Sequence, residues 1–117
     1  MNAMDHPDLQ PAFRALADPT RRGIIALLAD RDMTIAEVAG HFDMTRAAVK
    51  KHLTVLYDGD IVVSEVRGRE RINRLQPMAL KTAADWLNHF DRFWSGHLAA
   101  LKDAAETQER KNRDQNS

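Results

Sequence analysis

The chain has 117 residues, a formal net charge of zero, 44% apolar and 29% charged residues, and no cysteine. That length and composition fit one ordinary globular domain with one compact core, and they argue against a large buried catalytic cavity. The absence of cysteine excludes disulfides, thiolate metal sites and thiol redox sensing.

Residues 1–8 are polar, contain Pro7 and are expected to be disordered. Leu9, Phe13, Leu16 and Ala17 fall at helical spacing and predict a first helix over about 9–17. Asp18-Pro19 breaks it, and Asp18 can cap a second helix that takes proline at its first position. That helix runs to about Ala29, and Ile24, Ile25, Leu27 and Leu28 make it a central, well-buried element. After the polar loop Asp30–Met33, Thr34 and Glu37 have capping-box spacing, so a third helix follows with Ile35, Val38, Ala39 and Phe42 facing inward. His41 to Met44 forms a short break. Either Asp43 or Thr45 can cap a fourth helix, which ends near Asp58-Gly59, where glycine is expected to supply a left-handed C-terminal conformation.

The fourth helix is the informative stretch. Val49, Leu53 and Leu56 recur at i, i+4 and i+7, which buries one side. Arg46, Lys50 and Lys51 lie off that stripe, and residues 45–57 contain no acid. Two short helices joined by a tight turn, the second with a bare basic side, suggest a DNA-reading helix-turn-helix. An ordinary core helix with solvated lysines fits the same segment taken alone. Next, Ile61–Val66 is β-branched and predicts a strand, Arg67-Gly68-Arg69-Glu70 a turn, and Arg71–Leu75 a return strand. The result is an arginine-tipped hairpin, a wing. Zero net charge does not by itself point to nucleic acid, but two local basic stretches can still present a positive face.

Pro77 opens the last segment, read as one helix over about 78–105. Leu80, Leu87, Trp94 and Leu101 are spaced by sevens, with Ala83, Phe90, His97 and Ala104 as a second row. That is a heptad pattern, widened by Trp86, Phe93 and Leu98, and it asks for a partner chain. Residues 106–117 are expected to form a polar, disordered tail.

The order helix, helix, helix, helix, hairpin, helix, together with FRALADPTRRGIIALL, MTIAEVAGHFDMTRAAVKKHLTVLYDGDIV and the RGRE turn, resembles the ArsR/SmtB family of winged helix-turn-helix repressors. The resemblance covers roughly residues 9–105. The C-terminal DWLNHFDRFWSGHLAAL looks like a branch without an identified metal or thiol sensor. The resemblance implies a mostly α fold with a small β-hairpin. It also implies a homodimer paired through the first and last helices, which binds a pseudo-palindromic operator in double-stranded DNA and blocks transcription. Many members carry serine in a V-S-x-H-L motif where this chain has Lys50, which adds a charge. Sensor cysteines are absent.

Candidate DNA-binding residues are Thr45, Arg46, Ala47, Lys50, Lys51 and His52 on the fourth helix, and Arg67 and Arg69 at the wing. Arg46 and Lys50 suit guanine N7 and O6, Ala47 suits close approach or a thymine methyl, and Thr45 and Lys51 suit phosphates. His52 can instead be a core or interfacial histidine, and Arg67 and Arg69 a solvated turn. Arg21 or Arg22 can meet a phosphate or pair with Asp18. The expected dimer interface comprises Phe13, Leu80, Leu87, Phe90, Trp94 and Leu101. Asp85 and His89, at i and i+4, with His97 two turns on, form a weak zinc alternative across a dimer; no cofactor is otherwise expected. An enzyme is not expected, since no nucleophile with a base, glycine-rich phosphate loop or paired carboxylates is evident. A winged helix used for protein contact is the remaining alternative. No signal-peptide pattern or run of roughly 18 apolar residues is present, so the expectation is a cytoplasmic protein without a membrane partner. The sequence names no inducer.

Overall fold

The computed structural model describes residues 8–115, and residues 1–7 of the segment expected to be disordered lie outside them. Six helices and one hairpin follow in the order α1 (Gln10–Leu16), α2 (Pro19–Asp30), α3 (Ile35–Ala39), α4 (Arg46–Asp58), β1 (Val62–Arg67), β2 (Glu70–Leu75), α5 (Pro77–Asn88) and α6 (Asp91–Gln115). The chain divides into two compact units, one ending at Ala83 and one beginning at Ala84.

Side chains set the helix starts of the first unit. Asp18 has extended backbone and accepts the Arg21 N–H at 3.1 Å, while Pro19 takes the first position of α2. Thr34 Oγ1 accepts the Glu37 N–H at 3.1 Å, and Glu37 Oε1 accepts the Thr34 N–H at 3.0 Å, completing the predicted capping box. For α4 the cap is Thr45, whose hydroxyl accepts the Ala48 N–H at 3.1 Å. Such caps satisfy amides that have no intrahelical partner and contribute about 1 kcal/mol each.

The end of α4 departs from expectation. Gly59 has φ −87°, and the left-handed residue is Asp60, at φ 57°. Ile61 N–H donates to Leu56 O at 3.1 Å and Asp60 N–H to Tyr57 O at 2.9 Å, the paired bonds of a Schellman motif. Asp is among the few non-glycine residues that tolerate this conformation. Gly59 is needed for a different reason: a Cβ there would sit 2.9 Å from Pro11 O and 3.2 Å from Ala12 Cα, so α1 packs directly on its backbone.

One core holds these elements. Ile24 and Leu28 of α2, Val38 of α3, Val49, Leu53 and Leu56 of α4, and Ile61 and Val62 at the start of the hairpin are buried together with Ala12, Ala15 and Met33. Burying each large aliphatic side chain contributes about 1.5–3 kcal/mol. The whole predicted stripe of α4 is in this core, so the rotation of α4 about its axis is fixed.

β1 and β2 pair antiparallel from Val62↔Leu75 to Arg67↔Glu70, with Gly68 at φ 64° in the two-residue turn. A lone hairpin is marginal in water. This one is anchored on its far side, where Asn73 N–H donates to Met33 O at 2.8 Å and Met33 N–H to Asn73 O at 3.1 Å.

The last segment is two helices rather than the single one predicted over 78–105. The break lies at His89-Phe90, where i→i+3 bonds tighten the chain: Phe90 N–H to Leu87 O at 3.2 Å and Phe93 N–H to Phe90 O at 2.9 Å. Asn88 and His89 are weak helix formers, and Asp91 is favoured at a new helix N-terminus. The heptad rows are thus shared between α5 and α6. From residue 106, where a polar tail was expected, α6 continues to Gln115. The Glu, Gln, Lys and Arg residues of this stretch are good helix formers, which accounts for the extension.

Candidate nucleic-acid interface

With Val49, Leu53 and Leu56 inward, the opposite edge of α4 must face out. Thr45, Arg46, Ala47, Lys50, Lys51 and Thr54 are all exposed. Among the described residues no carboxylate pairs with Arg46, Lys50 or Lys51. The Thr45 hydroxyl accepts from Ala48 and keeps its own proton to donate outward. A helix start therefore presents three unneutralised cations and a hydroxyl donor around the small Ala47. This arrangement can bind phosphates and donate to acceptors on base edges.

His52 does not join this edge. It is half-buried, with Nδ1 3.3 Å from Arg21 Nη1 and 3.9 Å from Asp18 Oδ2. A guanidinium only donates, so in this contact Nδ1 accepts and the ring proton sits on Nε2. His52 thus faces the start of α2. Arg21 is engaged there through each of its nitrogens: besides the His52 contact, Nε donates to Ala15 O at 3.0 Å and Nη2 to Arg14 O at 2.8 Å. Arg22 Nη1 donates to Leu16 O at 2.8 Å. The two arginines close the C-terminal carbonyls of α1, a role that the sequence alone leaves open between phosphate contact and pairing with Asp18. The Arg21 amide, more than any charge, holds the Asp18 carboxyl below its usual range.

The arginines of the wing are not equivalent. Arg67 bonds Asp32 at 2.6 Å and also Glu65, chiefly the former raising its already high pKa. Arg74 lies 3.5 Å from the same Glu65. Arg71 donates to Ser64 Oγ at 3.1 Å. Arg69, at the tip, has no ion pair or hydrogen bond among the described residues. Of the two arginines expected at DNA, Arg69 is therefore available, while Arg67 braces the hairpin against the loop before α3.

A polar contact that the sequence did not reveal ties the wing to α4. Asn73 is 2% exposed, the one buried polar residue among those described. Its Oδ1 accepts from the Tyr57 hydroxyl in the last turn of α4, and its Nδ2 donates to Met33 O at 3.2 Å. Burial holds the Tyr57 pKa above its usual value, opposed by Ser64 and Arg71, so the hydroxyl stays protonated and donating at neutral pH. Nothing in the Arg71–Leu75 pattern marks Asn73 as inward except its place two residues from Leu75.

Comparison with known proteins decides what this arrangement belongs to. A family model described as a helix-turn-helix domain matches residues 16–65. The transcriptional repressor SdpR of Bacillus subtilis is 31% identical over 67% of this chain and 87% of its own length. The HTH-type transcriptional regulator Rv2034 of Mycobacterium tuberculosis is 37% identical over 74% of this chain and 78% of its own. The solved ArsR-like transcriptional regulator from Rhodococcus sp. RHA1 superposes with a TM-score of 0.67, at 33% identity, over 83% of this chain and 92% of that one. The chain belongs to the ArsR family. It has that family's winged helix-turn-helix fold, with α3 and α4 as the helix pair and β1–β2 as the wing.

The other expected ArsR-family sites fare differently. Leu80 packs on the core of its own unit, because Ala79, Leu80 and Ala83 form the inward side of α5. Phe13 is half-buried on α1. In the second unit Leu87, Trp94 and Leu101 are 44%, 40% and 52% exposed, together with Trp86, Phe93 and Leu98. Phe90 sits among neighbouring rings, 5.1 Å from Trp86 edge-on and 6.3 Å from Phe93. His89 lies edge-on to Phe90 at 5.5 Å, and His97 is exposed on α6. Among the described residues no three His, Asp or Glu side chains gather as a metal site, Asp85, His89 and His97 included. No described helix is long and apolar enough to cross a membrane.

Proposed function

We propose that the chain is a homodimeric transcriptional repressor that binds a pseudo-palindromic operator in double-stranded DNA. The observation that carries this reading is the outer edge of α4. Its three cations lack carboxylate partners among the described residues, on a helix whose opposite side is locked in the core. Arg46 and Lys50 donate to guanine N7 and O6, Ala47 lets the helix approach, and Thr45 and Lys51 hold phosphates. Arg69 reaches phosphate or the minor groove from the wing tip. Arg67 and His52 act through position, the first on the wing and the second on α2.

The exposed row of Leu87, Trp94 and Leu101, with the neighbouring aromatic residues, supports pairing of two copies, since so much exposed apolar surface marks an interaction site. Pairing sets the two α4 helices about one DNA turn apart, near 34–36 Å. A dimer so bound across a promoter excludes polymerase. The protein needs no cofactor for this, catalyses nothing, and works in the cytoplasm.

Selection of bound fragments from a random DNA pool, repeated with added zinc and with chelator, tests the reading. The expected result is one enriched pseudo-palindrome, bound equally in both conditions, with affinity that falls steeply with salt. No enriched site, or association insensitive to salt, overturns it in favour of a protein-contact module.

A further inference from the structure

Between α4 and the hairpin the first unit holds a cleft of about 510 Å³, lined by Ile35, Lys50, Tyr57, Ser64, Arg71 and Asn73. Its geometry follows from two periodicities. Lys50 and Tyr57 are seven residues apart, two turns of α4, and so share a side of the helix. Ser64 pairs with Asn73 across the hairpin, and Arg71 lies two residues from Asn73, so these three share a side of the sheet. The Tyr57–Asn73 hydrogen bond closes the inner end. Ile35 and the Tyr57 ring supply an apolar floor, and Lys50 and Arg71 supply two cations. Among the described residues no carboxylate lines the cleft, and Arg71 is bonded only to a hydroxyl, Ser64 Oγ. The volume is within the range of small-molecule sites, which join apolar walls to a few placed polar groups.

We propose that this cleft binds a small organic anion with a flat apolar body, an aromatic carboxylate, and that its occupancy opposes DNA binding. The ring lies on Tyr57 and Ile35, while the carboxylate takes a forked hydrogen bond from Arg71 and the charge of Lys50. Antagonism follows because Lys50 also belongs to the DNA-facing edge of α4, and one ammonium cannot serve both partners. That second half rests on the function proposed above; the binding half does not.

Tyr57 is the chain's only tyrosine, so its ring signals report this cleft alone in NMR of the full chain made with isotope-labelled tyrosine. Titration with naphthoate should move those signals saturably, whereas uncharged naphthylmethanol and inorganic phosphate should not. Arg71→Ala and Lys50→Ala should each weaken naphthoate by about tenfold, the size expected for losing a hydrogen bond to a charged group. No saturable shift, or equal binding by Arg71→Ala, overturns the site. Phosphate binding as tight as naphthoate overturns it too, since the cleft would then be a seat for DNA phosphate. In a second arm, naphthoate at saturation should raise the apparent Kd for the selected DNA fragment. An unchanged Kd overturns the antagonism. If the selection yields no DNA, the operator reading fails while the tyrosine titration still decides the site.

Discussion

Replacing Asn73 with alanine probes the joint between wing and recognition helix. Asn73 is almost fully buried, and its side chain makes two hydrogen bonds, one accepted from Tyr57 and one donated to Met33 O at 3.2 Å. Net hydrogen bonds contribute about 1 kcal/mol each, and Asn73→Ala also leaves the half-buried Tyr57 hydroxyl without this acceptor. Met33 O keeps its backbone bond from Asn73 N–H at 2.8 Å, so the strand pairing survives. The expected loss is about 2 kcal/mol, or a fall in Tm of roughly 8 °C for a chain of this size. Far-UV circular dichroism on heating measures it. The Tyr57→Phe variant should couple to Asn73→Ala, the double variant losing less than the sum of the singles by at least about 0.5 kcal/mol. A fall below about 2 °C, or full additivity, would refute the view that this pair holds the wing on α4.

Three further outcomes are expected. Lys50→Ala should cost about 1–3 kcal/mol of affinity for the selected DNA and relax preference at one base position, whereas Arg67→Ala should cost less, because Arg67 is already held by Asp32 and Glu65; fluorescence anisotropy ranks the two. Leu87→Asp should give a folded monomer by sedimentation velocity, and a stable dimer would refute the assignment of the exposed row. The carboxyls of Asp18 and Glu37 are held low, chiefly by backbone N–H bonds, so their contribution is complete at neutral pH and is lost as pH falls below the usual carboxylate range, about 4. Asn and Gln cap nearly as well without titrating, so the doubly substituted Asp18→Asn, Glu37→Gln chain should match the parent in urea at pH 7 and lose less on acidification.

Local signals were the legible part of this fold. Asp18, Thr34, Glu37 and Thr45 act within a few residues of themselves, and the stripe of Val49, Leu53 and Leu56 needs only helical period, so the exposed edge of α4 could be placed in advance. What the sequence left hidden depended on contacts distant in sequence. Arg67 looked free at a turn because Asp32, its partner, lies 35 residues away. His52 turned inward because Arg21 and Asp18 wait on another helix. Leu80 satisfies a heptad and the core equally well, and only packing reveals its contact with the core. Gly59 was recognised as a helix end, but its use is the close seat of α1, while Asp60 takes the left-handed turn. The break at His89-Phe90 carried no glycine or proline to announce it.

The guanidinium of Arg21 closes two carbonyls of one helix and an imidazole on another, three acceptors spread around a single plane. Lysine has the same charge, but its single ammonium cannot stand in three places at once. An exchange that passes unnoticed on most protein surfaces would here loosen α1 from α2 and leave His52 without its donor. This position therefore demands a shape as much as a charge. Through His52 it also braces α4 from behind.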